Sequence, residues 1–385
     1  MSKSLLKRKL FVFICCFPLL VGVVAATPKK PVPRAPSLQA KSYYLEEFYS
    51  GRVLAEKDAD KRIEPASITK LMTAYVVEQA IATGDISLDD KVKISEKAWR
   101  MKGSKMFIEV GKEVLVADLL KGLVIQSGND ASVALAEHVA GTEEAFVGYM
   151  NHQAEVLGLE NTQFKNVTGW PAKGHYMSAR DIAILARAIL TDFPEQYSLY
   201  KEKEYTYNNI KQYNRNKLLW RDASVDGLKT GHTESAGYCL VSSAKKGDMR
   251  LLSVVLGTKS EKSRAHSSQS LLNYGFRFFE THRLYAAGKS IKDTRIWKGT
   301  AEVLPLGLAD DLYITIPRGQ YKYLKAEMEL TPTIIAPAEQ GQTYGIVKVA
   351  LSEEMVVERP LIALSAVKKG GLLHQAVDSV KLWLE

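Results

Sequence analysis

The stretch EPASITKLMTAYV, residues 64–76, decides how the chain folds around its functional centre. Its apolar residues recur at helical spacing and predict a helix from Ala66 to about Thr83. Ser67 and Lys70 stand three residues apart at the start of this helix, so their side chains project from one face. The pattern therefore places an amine beside a hydroxyl.

This pair has the chemistry of a nucleophile and its base. A serine hydroxyl attacks a carbonyl only slowly until a base removes its proton. A lysine serves as that base only when burial or a second cation lowers its pKa well below the usual value of about 10.4. The helix N-terminus adds a backbone N–H that points into the site, which is half of an oxyanion hole.

Two further short motifs follow the first along the chain. Ser127-Gly128-Asn129 lies between two predicted helices, residues 116–126 and 130–140, and offers a hydroxyl and an amide. Lys229-Thr230-Gly231 precedes a predicted strand and offers a cation, a hydroxyl and a glycine that permits close backbone approach. Lys229 is the expected second cation beside Lys70. Each motif is common by itself, but the three together in this order indicate one site.

Length and composition restrict the class of protein. The chain has 385 residues, with 52 Lys and Arg against 43 Asp and Glu, and 46% of its residues are hydrophobic. This mixture excludes a disordered protein and a polytopic membrane protein, and the length favours two domains, with three left open. Basic residues are interleaved with acids, so we expect no nucleic-acid partner. Three cysteines, and seven histidines without an H-E-x-x-H pattern, predict no disulfide scaffold, metal or cofactor.

The N-terminus predicts export. Basic residues at the start are followed by an uncharged run, residues 10–24, and by small residues before Thr27. This is the pattern of a signal peptide, residues 1–26, while an uncleaved anchor is the alternative reading. A linker rich in Pro and Lys, residues 27–37, comes next.

The rest of the chain divides into three parts. Residues 38–282 form the predicted catalytic domain, which includes a capping box at Ser178, a hairpin near residues 205–210 and a small buried thiol at Cys239. Residues 283–367 contain short β-like runs separated by Pro, Gly and polar turns, and predict a smaller all-β domain.

Residues 368–385 predict an amphipathic helix behind Lys368-Lys369 and a Gly370-Gly371 hinge. We expect this helix to lie on a membrane surface, and docking on its own protein is the alternative. The expected apolar face consists of Leu373, Ala376, Val377, Val380 and Leu384, with Leu372 and Trp383 nearby.

The three motifs in their context resemble a known family. The stretches EPASITKLMTAYV, IQSGNDASVALAEHVAG and VDGLKTGHTESAGY are similar to those of the low-molecular-mass penicillin-binding proteins that are D-alanyl-D-alanine carboxypeptidases. The resemblance runs from about Leu38 to the terminal helix. It implies an α/β catalytic domain in which helices flank an antiparallel sheet.

The resemblance also implies roles for individual residues. Ser67 would be the acylated nucleophile, Lys70 its base, and Ser127 a proton relay to the leaving group. The oxyanion hole would be formed by the backbone N–H groups of Ser67 and His232. Among the substrate-binding residues, Asn129 would hold the amide of the acyl side chain, and Lys229 would raise the local electrostatic potential. Thr230, with Gly231 beside it, would bind the substrate carboxylate. Arg264 would bind the same carboxylate, and Arg215 is a weaker candidate for that task.

One departure separates this chain from the class A β-lactamases, which resemble it. Those enzymes activate a deacylating water with a Glu, whereas residues 161–181 contain no Glu and the second motif is Ser-Gly-Asn instead of Ser-Asp-Asn. The sequence thus predicts a carboxypeptidase that trims the terminal D-Ala from peptidoglycan pentapeptide stems and that β-lactams inhibit covalently. We expect it at the periplasmic face of the inner membrane, as a peripheral protein.

Two alternatives remain at this point. A murein endopeptidase would use the same site on cross-links instead of free stems. A catalytically silent penicillin-binding scaffold would belong to another functional class, although the intact Ser67, Lys70, Ser127 and Lys229 argue against it.

Overall fold

The structure, a computed structural model, describes residues 31–384. The predicted signal peptide and the first part of the predicted linker lie outside the described residues. The α-helices are α1 Lys70–Ala82, α2 Glu96–Arg100, α3 Val116–Lys121, α4 Asn129–Ala140, α5 Glu143–Val156, α6 Ala179–Asp192, α7 Leu218–Arg221, α8 Glu261–Phe278 and α9 Leu372–Leu384. The strands are β1 Ser42–Glu47, β2 Val53–Lys57, β3 Lys91–Lys93, β4 Glu113–Leu115, β5 Glu204–Tyr207, β6 Ile210–Tyr213, β7 Val225–Thr233, β8 Gly237–Lys246, β9 Met249–Thr258, β10 Phe279–Tyr285, β11 Lys292–Trp297, β12 Val303–Gly307, β13 Leu312–Pro317, β14 Leu324–Leu330, β15 Ile334–Ile335, β16 Thr343–Leu351 and β17 Glu354–Ala363.

The catalytic domain is built on a five-stranded antiparallel sheet with the strand order β2-β1-β9-β8-β7. Its central strands β8 and β9 are buried along runs of consecutive residues, because helices such as α6 and α8 cover the sheet. The predicted α/β fold with an antiparallel sheet and flanking helices is confirmed.

Helix α1 lies inside the helical layer and carries the functional pair at its start. Its residues are buried on nearly every side, which explains why it is apolar all round instead of on one stripe. The predicted helix from Ala66 does not start as an α-helix: a 3₁₀ turn, Ala66–Thr69, precedes α1. Ser178 caps α6 by accepting the N–H of Asp181, as its capping-box pattern predicts.

The predicted hairpin near residues 205–210 is also present. Strands β5 and β6 pair in antiparallel fashion, and the turn between them has positive φ at Asn208 and Asn209. Asparagine tolerates this conformation better than most residues, which suits it to a tight hairpin turn.

The C-terminal domain is all β, as predicted. A six-stranded sheet has the order β14-β16-β17-β12-β11-β15, and strands β10 and β13 form a separate antiparallel pair. Strand β10 crosses the predicted domain boundary between residues 282 and 283. The predicted boundary therefore falls inside a strand that pairs with β13 of the β domain.

The two domains meet at a buried polar cluster around Thr315 on β13. The Thr315 hydroxyl contacts the hydroxyls of Ser50 and Thr281 and the carboxylate of Glu47 at 2.7–3.1 Å. Arg52, on the catalytic side, donates to the Thr315 carbonyl. Because these polar groups are satisfied across the junction, the cluster holds the domains together.

Helix α9 contacts its own protein through one polar residue and leaves its apolar face exposed. Asp378 is buried and accepts a 2.6 Å hydrogen bond from the backbone N–H of Lys298. Leu373 and Trp383, by contrast, are 86% and 84% exposed. The helix is thus docked, but not by the face that would normally be buried. No helix within residues 31–384 has the length and apolarity needed to cross a bilayer.

Candidate active site

The 3₁₀ turn before α1 brings the nucleophile–base pair into contact. Side chains three residues apart nearly eclipse one another in a 3₁₀ turn, more closely than in an α-helix. Lys70 Nζ accordingly lies 3.0 Å from Ser67 Oγ. Ser67 is partly exposed while Lys70 is fully buried, so the hydroxyl faces the solvent side of a buried amine.

Two other oxygens surround the Lys70 amine. Asn129 Oδ1 lies at 2.7 Å and the carbonyl of Thr168 at 3.0 Å, and both can only accept hydrogen bonds. A neutral amine has two N–H groups and one lone pair. The two N–H groups are used by these acceptors, so the lone pair is left for the Ser67 hydroxyl, the one neighbour that can donate.

The electrostatic surroundings make the neutral amine accessible near neutral pH. Burial, with a smaller contribution from the positive charge of Arg215, lowers the pKa of Lys70 to about 7, although the Asp130 carboxylate acts in the opposite direction. Lys229, the second cation that the sequence indicates, interacts electrostatically with Lys70, and Arg215 adds a further positive charge. Burial lowers the pKa of Lys229 itself, and the charges of Lys70, Arg215 and Arg264 lower it further.

The second motif contributes an unpaired hydroxyl. Residues Gly122–Gln126 form a π-helical turn that ends at Ser127, which has a φ of 64°. Ser127 Oγ is buried and has no hydrogen-bond partner among the described residues. Such π turns and strained positions recur at functional sites, and this one presents a free hydroxyl in the cavity beside Ser67.

Asp130, directly after the second motif, is a site-building residue that sequence reasoning missed. Its fully buried carboxylate accepts the backbone N–H groups of Met106, Phe107 and Ile108. It thereby fixes the loop that forms one wall of the site, and Asn129 also binds this loop through the carbonyl of Lys102. The only signal in the sequence is the acidic residue that ends the run SGND.

Two glycines let neighbouring segments close on the nucleophile turn. A Cβ on Gly231 of β7 would lie 2.9 Å from the carbonyl oxygen of Pro65, which is closer than real Cβ contacts come. A Cβ on Gly169 would lie 1.7 Å from the carbonyl oxygen of Ala66. The close approach predicted for the third motif is therefore observed, and a second one on the other side of the turn was not predicted.

His175 is a second supporting residue that the sequence did not reveal. Its Nδ1 accepts the backbone N–H of Lys165 at 3.3 Å, so the ring proton is on Nε2, which lies 2.8 Å from Thr69 Oγ1. Burial, with the charge of Lys165, lowers the pKa of His175 to about 4. The neutral ring thus stabilises the 3₁₀ turn through its hydrogen bond with the Thr69 hydroxyl.

Two cavities open beside Ser67, and they share Gly103, Ser104 and His232. We call the first the arginine-side cavity. It has a volume of about 530 Å³ and is lined by Ser67, Gly103, Ser104, Ser127, Arg215, Thr230, Gly231, His232, Tyr238, Glu261 and Arg264.

The arginine-side cavity holds both arginines that the sequence indicated. Arg264 is buried, donates to the carbonyl of Gly231 at 3.3 Å and lies 3.6 Å from Glu261. Arg215 is exposed at the rim. The ring of His232 packs on Tyr238 with centroids 3.9 Å apart, which fits its lack of an assigned imidazole role.

The second cavity, which we call the acyl-side cavity, has a volume of about 620 Å³. It is lined by Ser67, Gly103, Ser104, Asn129, Thr168, Gly169, Trp170, Pro171, His232, Thr233, Glu234 and Ser235.

Cys239 takes no part in this arrangement. It is fully buried on β8, and burial raises the pKa of its thiol to about 11. A thiol that keeps its proton is a poor nucleophile. Ser67, Lys70 and Ser127 instead have the geometry expected of a serine hydrolase in which a lysine serves as the base.

Comparison with known proteins places the chain within that class. The family described as D-alanyl-D-alanine carboxypeptidase matches residues 29–260, and the penicillin-binding protein 5 C-terminal domain matches residues 279–369. The chain is 46% identical to D-alanyl-D-alanine carboxypeptidase DacC of Escherichia coli K12 over 90% of this chain and 89% of that one. It is 38% identical to DacF of Bacillus subtilis 168 over 96% of both chains.

A solved structure agrees. Penicillin-binding protein 5 from Haemophilus influenzae has 42% sequence identity and a TM-score of 0.83, covering 88% of this chain and all of that one. The chain belongs to the D-alanyl-D-alanine carboxypeptidase family and is a serine-type carboxypeptidase.

Proposed function

We propose that the chain removes the terminal D-Ala from peptidoglycan pentapeptide stems, with Ser67 as the nucleophile. The observation that carries this assignment is the buried Lys70 amine 3.0 Å from the Ser67 hydroxyl, with acceptors at two of its other hydrogen-bonding positions. Ser67 Oγ attacks the carbonyl carbon of the penultimate D-Ala while Lys70 takes its proton. The peptide bond then breaks, and Ser127 relays the proton held by Lys70 to the departing amine, which leaves as free D-Ala. Water hydrolyses the resulting ester and regenerates Ser67.

The arginine-side cavity supports an exopeptidase. A carboxypeptidase must recognise the free carboxylate of the leaving D-Ala, and Arg264 with Thr230 offers a buried cation and a hydroxyl beside Ser67. Charge-assisted hydrogen bonds of this kind are among the stronger ones in proteins.

The same attack accounts for covalent inhibition by β-lactams. Ser67 opens the lactam ring, but the leaving nitrogen remains attached to the acyl group. The segment that faces Lys70 from residues 161–181 contributes a backbone carbonyl, that of Thr168, instead of a carboxylate that could activate water. Deacylation of the penicilloyl enzyme is therefore expected to be slow.

One assay tests the substrate assignment. The mature protein is incubated with diacetyl-Lys-D-Ala-D-Ala and, separately, with cross-linked muropeptide, and release of product is followed by chromatography. We expect release of D-Ala from the free stem analogue. Cleavage of the cross-link alone would show an endopeptidase, and cleavage of neither would show a silent scaffold.

We also propose that the chain is exported and bound peripherally at the periplasmic face of the inner membrane through α9. Three features support this: a signal-like N-terminus, the exposed apolar face of α9, and Lys368 and Lys369 just before it. An interfacial helix buries such a face at the headgroup boundary, and each nearby lysine adds up to about 1 kcal/mol on anionic lipid. The β-domain would then hold the catalytic site out toward the wall.

Vesicle sedimentation tests this proposal with a matched pair of variants. Val377→Glu places a charge on the apolar face, whereas Asp378→Ala removes the contact with Lys298 and keeps the apolar face. With vesicles of phosphatidylglycerol and phosphatidylethanolamine, we expect Val377→Glu to lose binding and Asp378→Ala to retain it. Equal binding by Val377→Glu and the parent protein would contradict the membrane assignment.

A further inference from the structure

The two cavities beside Ser67 differ in charge. Arg215, Arg264 and Glu261 line the arginine-side cavity and leave it with a net positive charge, whereas Glu234 is the one Asp, Glu, Lys or Arg among the described residues that line the acyl-side cavity. A peptide whose terminal carboxylate lies near the arginines extends its remaining chain into the other cavity, past Ser67. The part of the substrate that follows the acyl group thus meets a negative charge.

The chain fixes the position of Glu234 without neutralising it. Glu234 lies in the turn between β7 and β8, where Thr233 Oγ1 accepts the N–H of Ala236 at 3.0 Å. Ser235 binds two nearby charged groups. Lys41 Nζ donates to the Ser235 carbonyl at 2.9 Å, and the Ser235 hydroxyl donates to the Glu64 carboxylate. Glu234 itself is exposed and has no ion-pair or hydrogen-bond partner among residues 31–384.

The same cavity has an apolar wall at Trp170 and Pro171. Asn166 holds Trp170 in place, since its Oδ1 accepts the Trp170 N–H at 3.1 Å and its Nδ2 donates to the Trp170 carbonyl at 2.8 Å. Trp170 is half exposed, so its ring is available to a ligand. A cavity with a fixed apolar wall and one unpaired carboxylate suits a side chain with a methylene stem and a terminal amine.

We propose that Glu234 binds the side-chain amine of the diamino acid that precedes D-Ala-D-Ala in the stem, with Trp170 and Pro171 against its methylene groups. This inference rests on the proposed carboxypeptidase function and adds a specificity-determining residue to it. Because Glu234 is exposed, its ion pair with the amine is screened by salt, and the preference it creates is a few-fold.

Two peptides that differ only in that amine test the proposal. The full mature protein is assayed at low salt with Nα-acetyl-Lys-D-Ala-D-Ala, which has a free ε-amine, and with the Nα,Nε-diacetyl peptide, which does not. We expect kcat/KM to be about threefold higher for the free amine, and the advantage to shrink in 0.5–1 M salt, at which the screening length falls to roughly 3–4 Å. Glu234→Gln should abolish the advantage, so that the ratio of the two kcat/KM values falls to about one.

A control variant and a third peptide complete the design. Glu160→Gln makes the same charge change at an exposed position outside both cavities, and it should keep the preference. A diaminopimelyl peptide distinguishes the two stem types: an advantage that Glu234→Gln removes assigns the diaminopimelate amine, and an advantage confined to the lysyl peptide assigns lysine.

Each outcome separates this inference from the proposed function. Hydrolysis of both peptides at equal rates, or a preference that persists in Glu234→Gln, would overturn the role of Glu234 and leave the carboxypeptidase intact. Failure to hydrolyse either peptide would overturn the carboxypeptidase assignment and the inference with it.

Discussion

The catalytic cleft and helix α9 both reverse the usual rule of burial, in opposite directions. The cleft buries three basic side chains, Lys70, Lys229 and Arg264, whereas α9 buries the acid Asp378 and exposes large apolar side chains such as Leu373 and Trp383. Burying charge and exposing large apolar groups both cost free energy, so neither arrangement is explained by stability alone. The comparison shows that the cleft uses burial to change the reactivity of polar groups, while α9 keeps apolar groups accessible for something outside the protein.

The largest effect is expected at the centre of the cleft. Ser67→Ala should abolish both D-Ala release and covalent labelling by penicillin, because loss of a covalent nucleophile typically costs many orders of magnitude in rate. Mass spectrometry of the penicillin-treated parent protein checks the site of attachment. A penicilloyl adduct on any other residue would show that the burial of Lys70 serves a different group.

A smaller loss is expected at the buried arginine. Arg264→Ala should lower kcat/KM for D-Ala-D-Ala peptides about 10- to 100-fold, since a charge-assisted hydrogen bond is worth roughly 1.5–3 kcal/mol. Hydrolysis of an analogue with an amidated C-terminus is the control, and it should be spared. Equal losses on the two substrates would assign Arg264 to folding, through its bond to the Gly231 carbonyl.

The pH profile distinguishes the two candidate sources of the lysine pKa. Lys70 must be neutral to act as a base, so activity should rise with pH through about 7. Removing the positive charge of Arg215 raises the pKa of Lys70, which moves the rising limb to higher pH. Arg215→Gln should therefore increase the ratio of kcat/KM at pH 9 to that at pH 6 about threefold.

The matched variant for that experiment is Lys229→Gln. It should weaken acylation and also move the limb to higher pH, because the charges of Lys70 and Lys229 act on each other. An unchanged pH profile in Lys229→Gln would contradict the sequence-based prediction that Lys229 is the second cation.

The smallest effect on catalysis is expected from the removal of α9. Deleting residues 370–385 should change kcat/KM for small peptides by less than about twofold while releasing the protein from membranes. Among the described residues of α9, Asp378 alone is buried, and its contacts with Lys298 and Arg295 lie outside the cleft. A truncated protein that kept its membrane binding after signal cleavage, or lost its fold, would favour self-docking as the role of α9.

The sequence predicted those parts of the molecule that depend on local pattern. Helical spacing placed α1, the order of three short motifs brought Ser67, Lys70 and Ser127 into one site, and polar turns between β-like runs indicated the second domain. It was incomplete where distant segments decide the outcome. Asp130 serves a loop more than twenty residues earlier in the chain, and no spacing rule connects it to Met106.

The same reason explains the two electrostatic surprises. That Arg215 acts on Lys70 in addition to Lys229 depends on three-dimensional distance, which the order of motifs does not give. The sequence gives no sign of a role for His175, because its partner Thr69 lies 106 residues earlier in the chain. The sequence predicted the amphipathic character of α9. It did not predict that Asp378 would contact the rest of the protein, because its partner Lys298 lies 80 residues earlier in the chain.

The two glycines against the nucleophile turn have a consequence for how this enzyme can vary. Gly231 and Gly169 approach the turn from two segments. A single added methyl group at either one would lie closer to the backbone carbonyls of the turn than real Cβ contacts come. Substitutions at those two positions are therefore excluded in both evolution and engineering of this active site, whatever the benefit of a new side chain there. Change is open at the rim, where Trp170 and Glu234 face solvent, so new specificities should arise there first.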